Sequence, residues 1–181
     1  ILYRLELIKK HQLYFQSERL VINEDYLFNL HLLFHVQTLT ITHETPYYYE
    51  SHNNSLSRSY YQDLWKEGKT VLHNTEKFLK EKGILELCRQ RLNNSYINGA
   101  IEAISNECAP NHKSTVFSTL KNIRSIIKDP ILQPLIKNCP TEKMSKKGKL
   151  ILFFLKHHMA LALYVGYASM RKYEYSTNKN Q

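Results

Sequence analysis

Two adjacent carboxylates, Glu24 and Asp25, stand at the head of an almost wholly apolar run that holds Tyr26, Leu27, Phe28, Leu30, Leu32, Leu33, Phe34 and Val36. Asn23 precedes them and is a good N-cap, so both fall in the first turn of a helix expected over about residues 24–36. Two chemistries are open there. Acidic residues in a first turn interact well with the helix dipole, by about 0.3–1 kcal/mol, and need no other purpose. Alternatively, a carboxylate at the rim of a cleft takes the proton of an alcohol as that alcohol attacks an electrophile.

The other reactive residue types form weaker patterns. His31 and His35 are four apart, a spacing that can hold a metal on one helix face. Leu32, Leu33 and Phe34 lie between them, without the Glu of a His-Glu-x-x-His arrangement, so buried structural histidines are expected. His157 and His158 are adjacent and diverge on a helix. Cys88, Cys108 and Cys139 are far apart and odd in number, which argues against a disulfide framework or zinc site and suits a reducing compartment. The five glycines have no phosphate-loop or dinucleotide spacing. No Asp-x-Asp occurs; Asp63 and Asp129 are isolated and expected at the surface. No metal site is therefore assigned within the chain.

The elements that must position these residues follow from periodicity. The chain has 181 residues, 43% of them hydrophobic, enough for one compact domain or a core with a helical extension. Residues 2–10 read as a short amphipathic helix. The apolar helix headed by Glu24 and Asp25 belongs in the middle of a larger core. Residues 38–43, with β-branched alternation, and the tyrosines at 47–50 read as two strands of a hairpin, followed by a polar loop at 51–55. Two such short strands cannot form an independent sheet, which suggests that partner strands lie upstream. The first residue is Ile1, and the chain is expected to be a fragment.

From Leu56 the pattern turns helical: 58–82 with Gly83 as C-cap, 84–108 with a break near Asn93-Asn94 or Gly99, 112–128, a turn-rich piece rich in proline, and a last helix over about 146–173. The fold class is thus mainly α with a small β-hairpin, an α+β arrangement.

The net charge of +9 favours anionic partners. The basic residues are spread over long helices and the tyrosines of 47–49 alternate across a strand, so nucleic acid is not the preferred partner. The last helix is long enough to span a bilayer, but Lys156, His157 and His158 sit in its middle, and a central Lys costs about 2.5–3.5 kcal/mol on insertion scales. With Lys143, Lys146, Lys147 and Lys149 before it and Arg171 and Lys172 after it, two readings remain. It is a core or oligomer-interface helix, or it lies on an anionic membrane surface.

Residues 3–57, beginning "YRLELI", passing through "NEDYLFN" and ending "TPYYYESHNNSLS", resemble the C-terminal half of family 2 glycosyltransferases of the GT-A fold, bacterial enzymes that build surface polysaccharide and lipopolysaccharide. The Glu-Asp step, the Asn four residues after Asp25 and the Tyr-x-Tyr pattern are in register over about a third of the chain. Asn23 replaces a frequent Gly, and Glu50 stands where Arg is frequent. The resemblance implies that residues 1–57 are the acceptor-side end of the catalytic domain and 58–181 a helical extension. It implies that Asp25 is the catalytic base, with Glu24 orienting acceptor or loop and Tyr49, His52 and Ser55 binding substrate. It also implies a nucleotide-sugar donor, a saccharide or lipid-linked acceptor, and inversion at the anomeric carbon. Mg2+ or Mn2+ would be held by an Asp-x-Asp outside this chain. The protein would be cytoplasmic and peripheral on the inner face of the cell membrane, and a homo-oligomer is among the expected partners. The chain alone is expected to be inactive. The rival expectation is a non-catalytic helical interaction or membrane-surface module.

Overall fold

The computed structural model describes residues 2–15, 24–41, 43, 60–142 and 144–178, with side chains described as far as residue 170. The described elements are helices: α1 (Leu5–Lys10), α2 (Glu24–Leu33), α3 (Leu64–Glu81), α4 (Leu85–Glu107), α5 (Val116–Ile127), α6 (Leu132–Lys137), α7 (Lys146–Lys156) and α8 (Ala160–Asn178). The chain divides into two compact units, Ile1–Ser55 and Leu56–Gln181.

In the first unit the expected hairpin is not seen. Residues 38–41 form no strand, and Leu39 and Ile41 are 68% and 80% exposed; among the described residues no strand pairs with this segment. Alternation alone does not hold a strand without a partner. The second expected strand, 47–50, lies outside the described residues. Helix α2 ends at Leu33, short of Val36, and buries one side, Leu27, Phe28 and Leu32, while Tyr26, Leu33 and Phe34 are exposed. The expectation of an all-round buried helix is thus corrected. Only one stripe finds apolar partners: Tyr3 meets Phe28 edge-on at 5.4 Å and Phe15 stacks on it at 3.9 Å.

The second unit is organised around α4, which packs against α3, α5, α6 and α8. Its buried residues Leu92, Tyr96, Ala100, Ala103 and Ile104 recur at three- and four-residue steps, so one face is apolar over the whole length. That continuous burial carries α4 through Asn93-Asn94 and Gly99 without the expected break. The main core joins this face to Ile123 and Ile127 of α5, Leu132 and Ile136 of α6, Leu152 and Leu155 of α7, and Leu163 of α8. Buried Asn106 clasps the backbone of Tyr61, accepting from its N–H at 2.9 Å and donating to its carbonyl at 2.8 Å.

Helix ends show two further departures. Gly83, at φ +72°, closes α3 as expected, with its N–H on the Lys80 carbonyl and the Ile84 N–H on that of Leu79. The same two-bond pattern closes α7: the His158 N–H meets the Leu155 carbonyl and the Met159 N–H that of Phe154, with His158 at φ 51°. The single helix expected over 146–173 is therefore two, separated by a left-handed residue. The proline-rich piece after Asp129 contains α6, because Pro134 sits in its first turn, where a missing N–H costs no intrahelical bond.

Asp129, expected at the surface, is buried. It accepts from Lys69 Nζ at 2.6 Å, Trp65 Nε1 at 3.0 Å and the Ile131 N–H at 2.9 Å. Burial by itself raises the carboxyl pKa, but the bonds from Lys69, Trp65 and Ile131 outweigh it and hold it below the ordinary value. Because the folded-state pKa is the lower one, this stabilisation is whole above the unfolded pKa and is lost as pH falls through the folded pKa. Asp129→Ala should cost about 3 kcal/mol in urea denaturation near neutral pH. Asp129→Asn should flatten the loss of stability as pH falls below about 4, the unfolded carboxyl pKa, relative to the native chain; an unchanged acid limb would remove Asp129 from that role.

Candidate functional site

The first turn of α2 carries both carboxylates. Glu24 is half-buried and Asp25 is exposed. Asp25 Oδ1 accepts from the N–H of Tyr26 at 2.8 Å, which satisfies one of the amide donors left over at a helix start. Among the described residues no hydrogen bond engages its Oδ2.

The turn is tied down from its other side. Asn29 donates from Nδ2 to the Asp25 carbonyl at 2.7 Å, and the Tyr3 hydroxyl donates to Asn29 Oδ1 at 2.9 Å. The phenol thus reaches across 26 residues of sequence to a carboxamide that holds the turn bearing Asp25. The Tyr3 ring is fixed by its edge contact with Phe28, whose burial at 4% exposure makes α2 and the segment before α1 one packed piece. An exposed carboxylate on a fixed backbone can accept a proton from a ligand without first losing a buried partner. Tyr3 falls within the helix expected over residues 2–10 but precedes α1, and its tether to Asn29 has no local signature in the sequence.

Of the residues expected to bind substrate, Tyr49, His52 and Ser55 lie outside the described residues. The His31 and His35 spacing is not realised on one helix: α2 ends at Leu33, and His35 stacks on His11 with ring centroids 3.6 Å apart. Desolvation in that stack, followed by the charges of His35 and Lys10, lowers the pKa of His11.

The chain is similar to a protein of Bacillus subtilis (strain 168) named "Putative glycosyltransferase EpsH". The two are 25% identical over 159 residues, which cover 87% of this chain and 46% of that protein. The chain therefore spans about half the length of the relative it matches. No family model matches the chain, and no solved structure matches it.

Tyr3→Phe deletes one hydrogen bond, worth about 1 kcal/mol. Amide exchange in α2 should then quicken about fivefold while exchange in α4 and α5 is unchanged. Equal rates in α2 before and after the substitution would show that the phenol does not hold the turn.

Proposed function

We propose that this chain is the acceptor side of an inverting glycosyltransferase of the family 2, GT-A type. It would act in cell-surface polysaccharide synthesis with a donor-binding half supplied by other residues. The observation that carries the reading is the exposed Asp25 carboxylate on a helix start anchored by Asn29 and Tyr3, in a chain similar over 159 residues to a protein named as a glycosyltransferase. Asp25 takes the proton of the acceptor hydroxyl. The freed oxygen pair forms a bond to the anomeric carbon, and the bond from that carbon to the nucleoside diphosphate breaks on the opposite face, with inversion. Glu24 orients the acceptor or its loop, and Tyr49, His52 and Ser55 contact the sugars. The acceptor is a saccharide or a lipid-linked saccharide.

Among the described residues no group of three or more His, Cys, Asp or Glu side chains comes together to hold a metal ion. Mg2+ or Mn2+ at the leaving diphosphate would be held by residues outside this chain, as the family resemblance implies.

The proposed location is peripheral on the inner face of the membrane, and the exposed side of helix α7 supports the membrane contact. Leu152 and Leu155 are buried, while Lys146, Lys149, Leu150, Phe153 and Lys156 are exposed and, at 100° per residue, fall within one arc of about 120° beside the buried pair. Basic residues beside two exposed apolar side chains suit an anionic lipid surface. Among the described residues no helix is long and apolar enough to cross a membrane.

The test of catalysis is Asp25→Asn in the enzyme that joins this chain to its donor-binding half. Turnover should fall at least about 100-fold with donor binding unchanged. Retained turnover, or an equal loss of folding, would assign the carboxylate to the helix start alone. For α7, Lys146→Glu with Lys149→Glu should weaken sedimentation with phosphatidylserine-containing vesicles at least about tenfold, at about 1 kcal/mol per basic residue. Equal binding to purely zwitterionic vesicles would contradict the electrostatic part.

A further inference from the structure

The second unit holds a cleft of about 490 Å3 between α4 and the segment joining α6 to α7, within the roughly 300–1,000 Å3 of small-molecule sites. One wall is a stripe of carboxamides, Gln90, Asn94 and Asn98, spaced four residues apart and therefore aligned along one face of α4, about 6 Å per step. The other elements of the lining include Ile97, Pro140 and Met144, which are apolar, and a single carboxylate, Glu142. Gln90 Nε2 donates to Asn94 Oδ1 at 3.1 Å. That bond fixes both amide planes and leaves the Gln90 oxygen and the Asn94 amide nitrogen for a ligand.

The stripe has no structural task that the fold explains. Gln90, Asn94 and Asn98 are exposed, and Asn is a poor helix former, costing roughly 0.5 kcal/mol relative to Ala. Among the described lining residues there is no Lys, Arg or His, although the chain carries a net charge of +9. What the cleft offers is paired donors and acceptors at intervals, one acceptor-only carboxylate and an apolar patch. A neutral polyhydroxylated ligand satisfies all three: neighbouring hydroxyls pair with each carboxamide and with Glu142, and the C–H face of a pyranose lies on Ile97, Pro140 and Met144.

We infer that this cleft is a saccharide-binding subsite. Its place in a reaction, as a hold on the acceptor away from the reacting hydroxyl, rests on the glycosyltransferase reading; binding itself does not.

The test is a titration of the 181-residue chain with cellobiose, lactose, maltose and N,N′-diacetylchitobiose at millimolar concentration, followed by NMR. At least one disaccharide should give saturable shifts at the side-chain amides of Gln90, Asn94 and Asn98 and the methyl of Met144. Asn94→Ala with Asn98→Ala, which raises helix propensity and so keeps the fold, should weaken that binding at least about tenfold. Inorganic phosphate should give no saturable shift at these positions. No response to any of the four sugars, or a response unchanged in the double variant, overturns the inference. Asp25→Asn should leave the titration unaltered. Sugar binding in this cleft together with full turnover of Asp25→Asn would sink the catalytic reading alone; loss of turnover without sugar binding would sink this one alone.

Discussion

The relay from the Tyr3 hydroxyl through the Asn29 carboxamide to the Asp25 carbonyl is what fixes the head of α2 among the described residues. Its described core is Leu27, Phe28 and Leu32 with the rings of Tyr3 and Phe15 around Phe28. A carboxylate that serves as a base must be open to a ligand and yet fixed in position. Exposure alone gives the first property to any surface Asp. The second comes here from a backbone carbonyl and a backbone N–H, each held in a hydrogen bond on either side of the same residue.

The second unit solves a different problem. It buries the apolar faces of α3 to α8 around one long helix, and its polar interior is small and fully bonded. Asp129 takes three donors, Asn106 clasps Tyr61, and Glu107 accepts from Asn122 at 2.9 Å and from the Tyr60 hydroxyl at 3.3 Å. Each of these would be costly if left unpaired, because a buried polar group without a partner forfeits its hydration. Paired, they tie segments that are distant in sequence to one register. The carboxamides Gln90, Asn94 and Asn98 along α4 are exposed and take no part in this interior scheme.

How much of this was readable before the structure depended on how local the cause was. The helix headed by Glu24, the stop at Gly83 and the start at Lys146 follow from neighbouring residues; Ser145 accepts from the Gly148 N–H at 3.1 Å, as an N-cap does. The stop at His158 was illegible because a left-handed turn at a residue other than Gly has no strong local signal. Burial of Asp129 was illegible because its cation, Lys69, lies 60 residues away. Alternation at 38–41 suggested a strand, but a strand exists only with a partner, and pairing is a long-range property. Of the site, the two carboxylates and Asn29 were visible as residue types; the phenol that orders them was not.

The central claim is that Asp25 receives the acceptor's proton. Its most direct test is rescue of Asp25→Ala by an exogenous carboxylate, in the enzyme that joins this chain to a donor-binding half. The truncated side chain leaves room at the turn for a formate ion. The account predicts that formate restores turnover in proportion to its concentration, with product still of inverted configuration, and has no such effect on the native enzyme. Turnover of Asp25→Ala that stays absent in formate, while the variant remains folded and binds donor, would contradict it.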